Sequence, residues 1–393
     1  RGEQEEVDYT SSATPGAAQD AGAAAPSASS DARSPEAANR AIEEADIIKV
    51  EGNRLYALSR YGGLSVVDTT NPGALRLLGR KRLGGIPFEM YFRDGRAIVM
   101  MNDFGHYVRD QGSFYGRWVQ TSEIAELDVA DPTRITEVAT YDVPGAIADS
   151  RLVGKALYLV TYENGSCYRC ADRPSTIVTS FDVGAAITKI DQLPFSSPNA
   201  GYSAWQRSVS ATNERLYVAG PEWSWNGGDG GRSVIQVVDI KDPNGKLVKG
   251  ADIPIAGQIQ SRWQMDEHQG VLRVVSQHGN GWGPNGAIDP QVETFAIDSS
   301  SSFRKLGQTN LKLPKPESLR AVRFDGTRGY AITAERSDPL FTIDLSVPSA
   351  PKQAGELHMP GWITHLEPRG DRLVGFGFED TTWRSRLAVS LFD

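Results

Sequence analysis

The stretch Asp338-Pro339-Leu340-Phe341-Thr342-Ile343-Asp344-Leu345-Ser346-Val347-Pro348 decides the fold, because its plan returns along almost the whole chain. An alternating apolar run, the period of a half-buried strand, ends on a hydrophobic residue plus Asp. A short polar turn that often holds Pro follows, and a second alternating run begins. The Asp of this frame recurs at Asp68, Asp128, Asp182, Asp239, Asp298, Asp344 and Asp393, in steps of 46 to 60 residues, near the period of a four-stranded propeller blade. Its carboxylate suits a turn, where it accepts backbone N–H groups, better than a catalytic or metal role.

Working outward from that frame, each repeat holds four strands, a to d. The first reads Asp46 to Val50, Arg54 to Ser59, Leu64 to Asp68 and Leu75 to Leu83. Small corners such as Gly52-Asn53, Asp94-Gly95, Asp325-Gly326 and Gly370-Asp371 join a to b and turn antiparallel strands tightly. One sheet of four short strands cannot bury both its faces, whereas radial stacking of such sheets does. Residues 41–393 are therefore predicted to be all-β, a β-propeller of four-stranded antiparallel blades with seven repeats visible. The seventh ends at strand c and is incomplete, which leaves seven or eight blades for the intact ring. Residues 1–40 are Ala, Ser, Pro and Gly with scattered acids, too poor in apolar side chains to offset their ordering entropy, and read as a disordered tether. The chain opens at Arg1 with neither Met nor a signal peptide's basic and apolar regions, so a processed or trimmed form is expected.

Several blocks carry a resemblance: Glu43-Glu44-Ala45-Asp46-Ile47-Ile48-Lys49, Met265 to Val274, Val322-Arg323-Phe324, Asp338 to Ser346 and Gly355-Glu356-Leu357-His358-Met359-Pro360-Gly361. With them the chain resembles a family of secreted bacterial and archaeal proteins whose β-propeller domain is distantly related to WD repeats. The resemblance runs from about Glu43 to Asp393 and is looser over Trp362 to Pro368. It implies export or surface attachment and supplies no catalytic residues.

The net charge of -8 and pI near 5.3 count against nucleic acid, which needs a basic face. No stretch approaches the roughly 20 apolar residues of a membrane helix. Cys167 and Cys170 sit in one loop; with no second cysteine pair for zinc and no helix to lower a thiol pKa, a loop-tip disulfide is expected in an oxidising compartment. The histidines, His106, His268, His278, His358 and His365, show no ligand spacing, and no cofactor or metal is expected.

In a propeller the b–c and d–a connections share one face. The b–c connections here carry Tyr107, Phe114, Tyr115 and Trp118, then Trp223 and Trp225, then Trp282, then Trp383. Aromatic rings on Gly-rich loops give rigid contact area at low entropy cost, which suits a protein or glycan partner at the cell surface. Mutual packing of the rings is the plainer alternative. The starts of the a strands should line the central channel, aligned as Asp46, Glu89, Ala148, Arg207, Trp263, Arg320 and Thr364. Candidates at the channel mouth are Asp46, Glu89, Arg207, Arg320 and His365. Two readings result: an exported, non-enzymatic binding scaffold, or a hydrolase or lyase with its site at that mouth.

Overall fold

The computed structural model describes residues 42–43, 46–109, 116–162, 174–184, 186–196, 207–222, 232–278, 289–313, 317–334, 339–358, 362–370, 372–380 and 385–392. Residues 1–40, read above as a tether, lie outside them.

Seven antiparallel sheets follow one another. Blade 1 comprises β2 (Ile48–Glu51), β3 (Arg54–Ser59), β4 (Gly63–Asp68) and β5 (Arg76–Lys81). Blade 2 comprises β6 (Ile86–Arg93), β7 (Arg96–Arg109), β8 (Gly116–Asp128) and β9 (Thr136–Pro144). Blade 3 holds β10 (Ala146–Val153), β11 (Ala156–Tyr162), β12 (Pro174–Asp182) and β13 (Thr188–Ser196), with β1 (Ile42–Glu43) added to its inner edge. Blade 4 is β14 (Ser208–Ala211), β15 (Arg215–Glu222), β16 (Arg232–Asp239) and β17 (Val248–Ile255). Blade 5 follows a short 3-10 turn (Arg262–Gln264) with β18 (Met265–His268), β19 (Val271–Ser276), β20 (Gln291–Ser299) and β21 (Ser302–Asn310). Blade 6 is β22 (Ser318–Asp325), β23 (Arg328–Ala334), β24 (Pro339–Asp344) and β25 (Lys352–His358). Among the described residues blade 7 has three strands, β26 (Trp362–Arg369), β27 (Arg372–Asp380) and β28 (Ser385–Phe392). The molecule is thus an all-β propeller of four-stranded antiparallel blades, and the seventh repeat stops at strand c, as its sequence reads.

The period-2 alternation explains why the sheets stack. In blade 1, Tyr56, Leu58, Leu64 and Val66 point to one face and bury against Met90, Phe92, Val99 and Leu127 of blade 2. The pattern repeats between every consecutive pair from blade 1 to blade 7, so the core is six apolar layers rather than one ball. Burying one such aliphatic or aromatic side chain stabilises by roughly 1.5–3 kcal/mol.

Polar contacts set the spacing of the layers. The recurrent Asp closes the c–d turn: Asp68, Asp128, Asp182, Asp239 and Asp344 each accept, on Oδ1, the backbone N–H two residues on, at 2.7–3.0 Å. Hydrogen bonds from Thr70 and Ser346 hold the Asp68 and Asp344 carboxyls below the usual range. The closed turn then presses on the preceding blade. A Cβ on Gly79 in β5 would strike the Pro132 carbonyl of blade 2's turn, and one on Gly307 in β21 the Ser349 carbonyl of blade 6's turn. Both glycines follow a bulge at the same register position, which brings the strand close to its neighbour.

Two features depart from expectation. The segment from Asn102 to Gln120, read as a long loop, is mostly strand: β7 and β8 stay paired out to Arg109 and Gly116, because β-branched and aromatic residues there favour extension. The chain also reaches blade 1 by way of the channel: Ile42 pairs with Val153, and Asp46 bridges Met90 of blade 2 with backbone hydrogen bonds of 3.4 and 3.0 Å.

Between blades 4 and 5, Arg215 Nη2 donates to Glu267 Oε1 at 2.7 Å and Nε to Oε2 at 3.1 Å. The Tyr217 hydroxyl donates to the same carboxylate, and burial pushes that phenol's pKa up. Both charged side chains are largely buried. Glu267→Ala leaves the largely buried guanidinium with only the half-exposed Glu214 carboxylate, 3.0 Å from Nη1, and is expected to cost about 3 kcal/mol in chemical denaturation; a loss below about 0.5 kcal/mol would show that the pair does not join the blades.

Candidate functional site

The propeller's alternation of direction puts every strand a start, every b–c connection and every d–a connection at one end. At that end strand a bulges in blades 2, 3, 6 and 7, between Pro87 and Glu89, Ile147 and Asp149, Leu319 and Ala321, and Ile363 and His365. The extra residue is Phe88, Ala148, Arg320 or Thr364. Counted back from the a–b turn, Glu89, Asp149, Ala321 and His365 therefore share one position, with Gln264 in blade 5 and Ser208 in blade 4. The sequence alignment set Glu89 level with Ala148, Arg320 and Thr364, one residue off in those blades. A bulge leaves no mark on hydrophobic alternation when both its residues are small or polar.

This register gathers a charged belt across the axis. Asp149 Oδ1 accepts from Arg151 Nη1 at 2.6 Å, from the Ser150 N–H at 2.8 Å and, from blade 5 on the other side, from Arg262 Nη1 at 3.5 Å. Arg151 is almost fully buried and also donates from Nη2 to the Val209 carbonyl of blade 4 at 2.8 Å. In blade 5, Ser261 and Gln264 cap the 3-10 turn reciprocally and so present Arg262 and Trp263. The Arg323 guanidinium of blade 6 lies 3.7 Å from the centre of the Trp263 ring, and that of Arg262 lies 5.0 Å from it, both attractive cation–π contacts. Arg323 Nη2 also meets His365 Nδ1 of blade 7 at 2.8 Å, and the imidazole stands edge-on to Trp263 at 6.5 Å.

Glu89 is the odd member. Its Oε2 is buried and has no hydrogen-bond partner, whereas the neighbouring Asp149 carboxylate accepts four hydrogen bonds. Burial, reinforced by the Asp149 charge, pushes its pKa up to about 8 against the opposite pull of Arg262 and Arg151. The carboxyl thus stays protonated at neutral pH and can donate. Burial, with the Arg323 charge, lowers His365 to about 4, so that ring is neutral.

Of the channel-mouth residues named from sequence, Glu89 and His365 join this belt. Asp46 lies beside it, using Oδ1 to accept the N–H groups of Ile47 and Ile48 at 2.6 and 3.3 Å, and its charge contributes to the rise at Glu89. Arg207 is buried toward blade 3, donating from Nε to Thr176 Oγ1 at 2.7 Å. Arg320 is an exposed bulge residue. Sequence reading missed Asp149, Arg151, Arg262 and Arg323. The signal that could have found Asp149, Arg151 and Arg323 is an acid or Arg two or four residues before the last residue of strand a, within otherwise apolar strands; Arg262 stands ahead of its strand, in the 3-10 turn. No group of three His, Cys, Asp or Glu side chains that could hold a metal occurs among the described residues. No described helix is long and apolar enough to cross a membrane.

Of the loop aromatics, Tyr107 and Trp118 pair in register across the β7–β8 hairpin. Phe114, Tyr115, Trp223, Trp225, Trp282 and Trp383 lie outside the described residues, as do Cys167 and Cys170. The strands that bracket them are placed: Glu222 and Arg232, Ser276 and Gln291, and Asp380 and Ser385 all stand at the end of the propeller where the a strands begin.

The sequence profile of the beta propeller domain matches residues 37–176 and 162–393. Over 140 residues, 35% of this chain, it is 34% identical to an uncharacterized protein of Methanocaldococcus jannaschii and 32% identical to one of Archaeoglobus fulgidus. Those matches span about a fifth of the two relatives' lengths, 21% and 20%. Among solved structures, a hypothetical selenium-binding protein from Sulfolobus tokodaii superimposes with a TM-score of 0.42 at 11% identity, over 79% of this chain and 76% of that one. A protein from Lactobacillus plantarum does so with a TM-score of 0.40 at 11% identity, over 90% and 99%.

Protonation of the belt sets a pH dependence. Glu89 holds a proton to about 8 when folded but only to about 4.5 when unfolded, so folding takes up a proton across that window and stability falls as pH rises through it. His365, folded near 4 against 6.5 unfolded, releases a proton on folding, and its contribution is lost as pH drops from 6.5 to 4. The two slopes oppose each other at acid pH and leave Glu89 alone between 6.5 and 8. Glu89→Gln is expected to abolish that decline, gaining on the parent by on the order of 1–3 kcal/mol between pH 5 and pH 8.5 in urea titrations. Parallel curves for the two proteins would show that Glu89 ionises as an ordinary surface carboxyl.

Proposed function

The chain belongs to the beta propeller domain family, and on that premise we propose that it is an exported or cell-surface binding scaffold that presents an aromatic-rich loop face to a protein or glycan partner. The observation that carries the reading is topological: one end of the propeller receives the b–c connections of blades 2, 4, 5 and 7, which bear the aromatic residues, and the mouth of the charged channel. A rim of aromatic residues around a polar centre is the usual anatomy of a recognition surface, with rings supplying area and buried polar groups supplying orientation. The acidic net charge of -8 directs the reading toward proteins and glycans and away from nucleic acids. A disulfide between Cys167 and Cys170 fits the exported location and staples the third b–c connection.

A second reading has one observation of its own. The unpartnered, protonated Glu89 carboxyl beside Asp149 matches the demands on a general acid, which would make the channel mouth a hydrolase or lyase site. Turnover of a glycoside or ester panel that vanishes in Glu89→Gln would establish it.

The scaffold reading is tested by replacing Trp223, Trp225 and Trp282 together with Ala. Binding to a glycan array and to cell-envelope fractions should fall at least tenfold while the melting temperature moves by no more than about 2 °C. A drop of many degrees would identify the rings as packing groups instead. The disulfide is tested by intact mass before and after reduction: a gain of two hydrogens is expected, and an unchanged mass would mean free thiols.

A further inference from the structure

The polar side chains at the channel mouth are rich in donors and short of acceptors. Arg151, Arg262 and Arg323 each carry a guanidinium, which donates through its N–H groups and accepts nothing. Arg323 Nη2 donates to His365 Nδ1; in a neutral imidazole the proton then sits on Nε2, which is a donor as well. The carboxylate between these groups, Asp149, accepts four hydrogen bonds, from the Ser150 N–H, from Arg151 Nη1 and Nη2 and from Arg262 Nη1. A carboxylate offers about four acceptor sites, so Asp149 is saturated. Asp46 commits Oδ1 to the N–H groups of Ile47 and Ile48.

Two members of the belt can serve a ligand. The Arg262 side chain is 16% exposed where that of Arg151 is 2%, and its 3.5 Å contact is the longest of the four that Asp149 accepts. The turn that carries Arg262 is fixed from both ends. Ser261 Oγ accepts from the Trp263 N–H at 3.3 Å, and Gln264 Oε1 accepts from the N–H groups of Ser261 and Gln260 at 2.9 and 2.8 Å. With the guanidinium 5.0 Å from the centre of the Trp263 ring, the side chain is oriented in advance. From blade 2, Glu89 brings its buried Oε2, which has no hydrogen-bond partner, close enough to Arg262 and Arg151 to feel both charges. Buried polar atoms normally have partners, and an acceptor on a ligand supplies one to a carboxyl that keeps its proton.

We propose that the channel mouth binds an oxyanion, a carboxylate, sulfate or phosphate group of a ligand, held by the Arg262 guanidinium of blade 5 and the Glu89 carboxyl of blade 2. A guanidinium matches such a group with two parallel N–H groups, and protonated Glu89 adds a third donor. Asp149 keeps Arg151 and Arg262 in position. Arg320, exposed near the start of β22, adds positive charge at the same end of an otherwise acidic protein and draws anions toward it. The inference rests on the reading of this end of the propeller as a recognition surface and names the chemistry of its polar centre: a glycan that reaches it carries acidic sugars.

Titration calorimetry of the purified protein with glucuronate, sulfate and inorganic phosphate, beside neutral glucose, tests the site. At about pH 6.5 at least one anion is expected to bind tenfold or more tighter than glucose, and the tightest of the three identifies the group. Arg262→Ala should weaken that anion on the order of 10–100-fold, as loss of a charged hydrogen bond does. Arg262→Lys, which keeps the charge but not the fork, should weaken it less. Affinity in the parent should fall as pH rises through about 8, where Glu89 ionises beside Asp149 and Asp46 and against the pull of Arg262 and Arg151. Glu89→Gln keeps a neutral donor and should bind equally well on both sides of that pH. The same variant separates binding from catalysis, since a general acid would be lost in it while the oxyanion still binds. These anions are too small to span the aromatic rim, so the result does not follow that of the tryptophan substitutions. Glucose bound as tightly as the anions, an anion affinity that both Arg262 variants leave unchanged, or a pH profile shared by the parent and Glu89→Gln would overturn the proposal.

Discussion

Burial of both faces of blades 2 to 6 is the constraint from which the rest follows. A sheet of four strands alternates side chains above and below, and in this protein both sets are apolar in the middle of the stack. Exposing either set to water is costly, so each of these blades is held by a neighbour on either side. The demand propagates around the axis, and it explains why the core is divided into layers between blades and why the recurrent Asp turns press on glycines of the preceding blade. Those glycines are close-approach positions: Gly79 and Gly307 allow a carbonyl of the next blade to reach the backbone.

The same stacking creates the candidate site as a by-product. Inner strands of seven blades converge on the axis, and the buried polar residues there must satisfy one another. Asp149, Arg151 and Arg262 do so between blades 3 and 5, and Arg323, Trp263 and His365 among blades 5, 6 and 7. Glu89 is left with a buried oxygen outside this accounting. Full satisfaction is the rule for buried polar atoms, which is why the exception marks the place where chemistry or recognition would be sought. The strands that bracket the aromatic-bearing b–c connections of blades 2, 4, 5 and 7 end on the same side of the propeller.

Much of this architecture was readable along the chain. The Asp series located the c–d turns, and five of its members close them through the hydrogen bond that a carboxylate in such a turn makes. Glu89 and His365 were placed at the channel by the position of the a strands alone. Asp149 and Arg323 were not: the alignment put Ala148 and Arg320, the extra residues of the bulges after Ile147 and Leu319, at the channel, one residue short of Asp149, and one residue exchanges the two faces of a strand, while Arg323 lies three residues further along its strand. The β7–β8 hairpin was misread as a loop because glycine and polar residues near its tip outweighed the alternation of Tyr107, Trp118 and their neighbours. The path of Ile42 to Asp46 through the channel had no local signal, since two residues are too short for any periodicity to register.

The sequence by itself determined the unit and its repetition: four short alternating strands, a turn held by Asp, seven copies, an acidic surface and aromatic residues concentrated between strands b and c. These are local properties, carried by side-chain period and turn chemistry within a few residues of each position. Only the tertiary structure decided which charged residues meet across the axis and that the buried Glu89 oxygen lacks a partner. Such facts depend on register and on residues more than a hundred positions apart, as Asp149 and Arg262 are, and no local pattern carries that information.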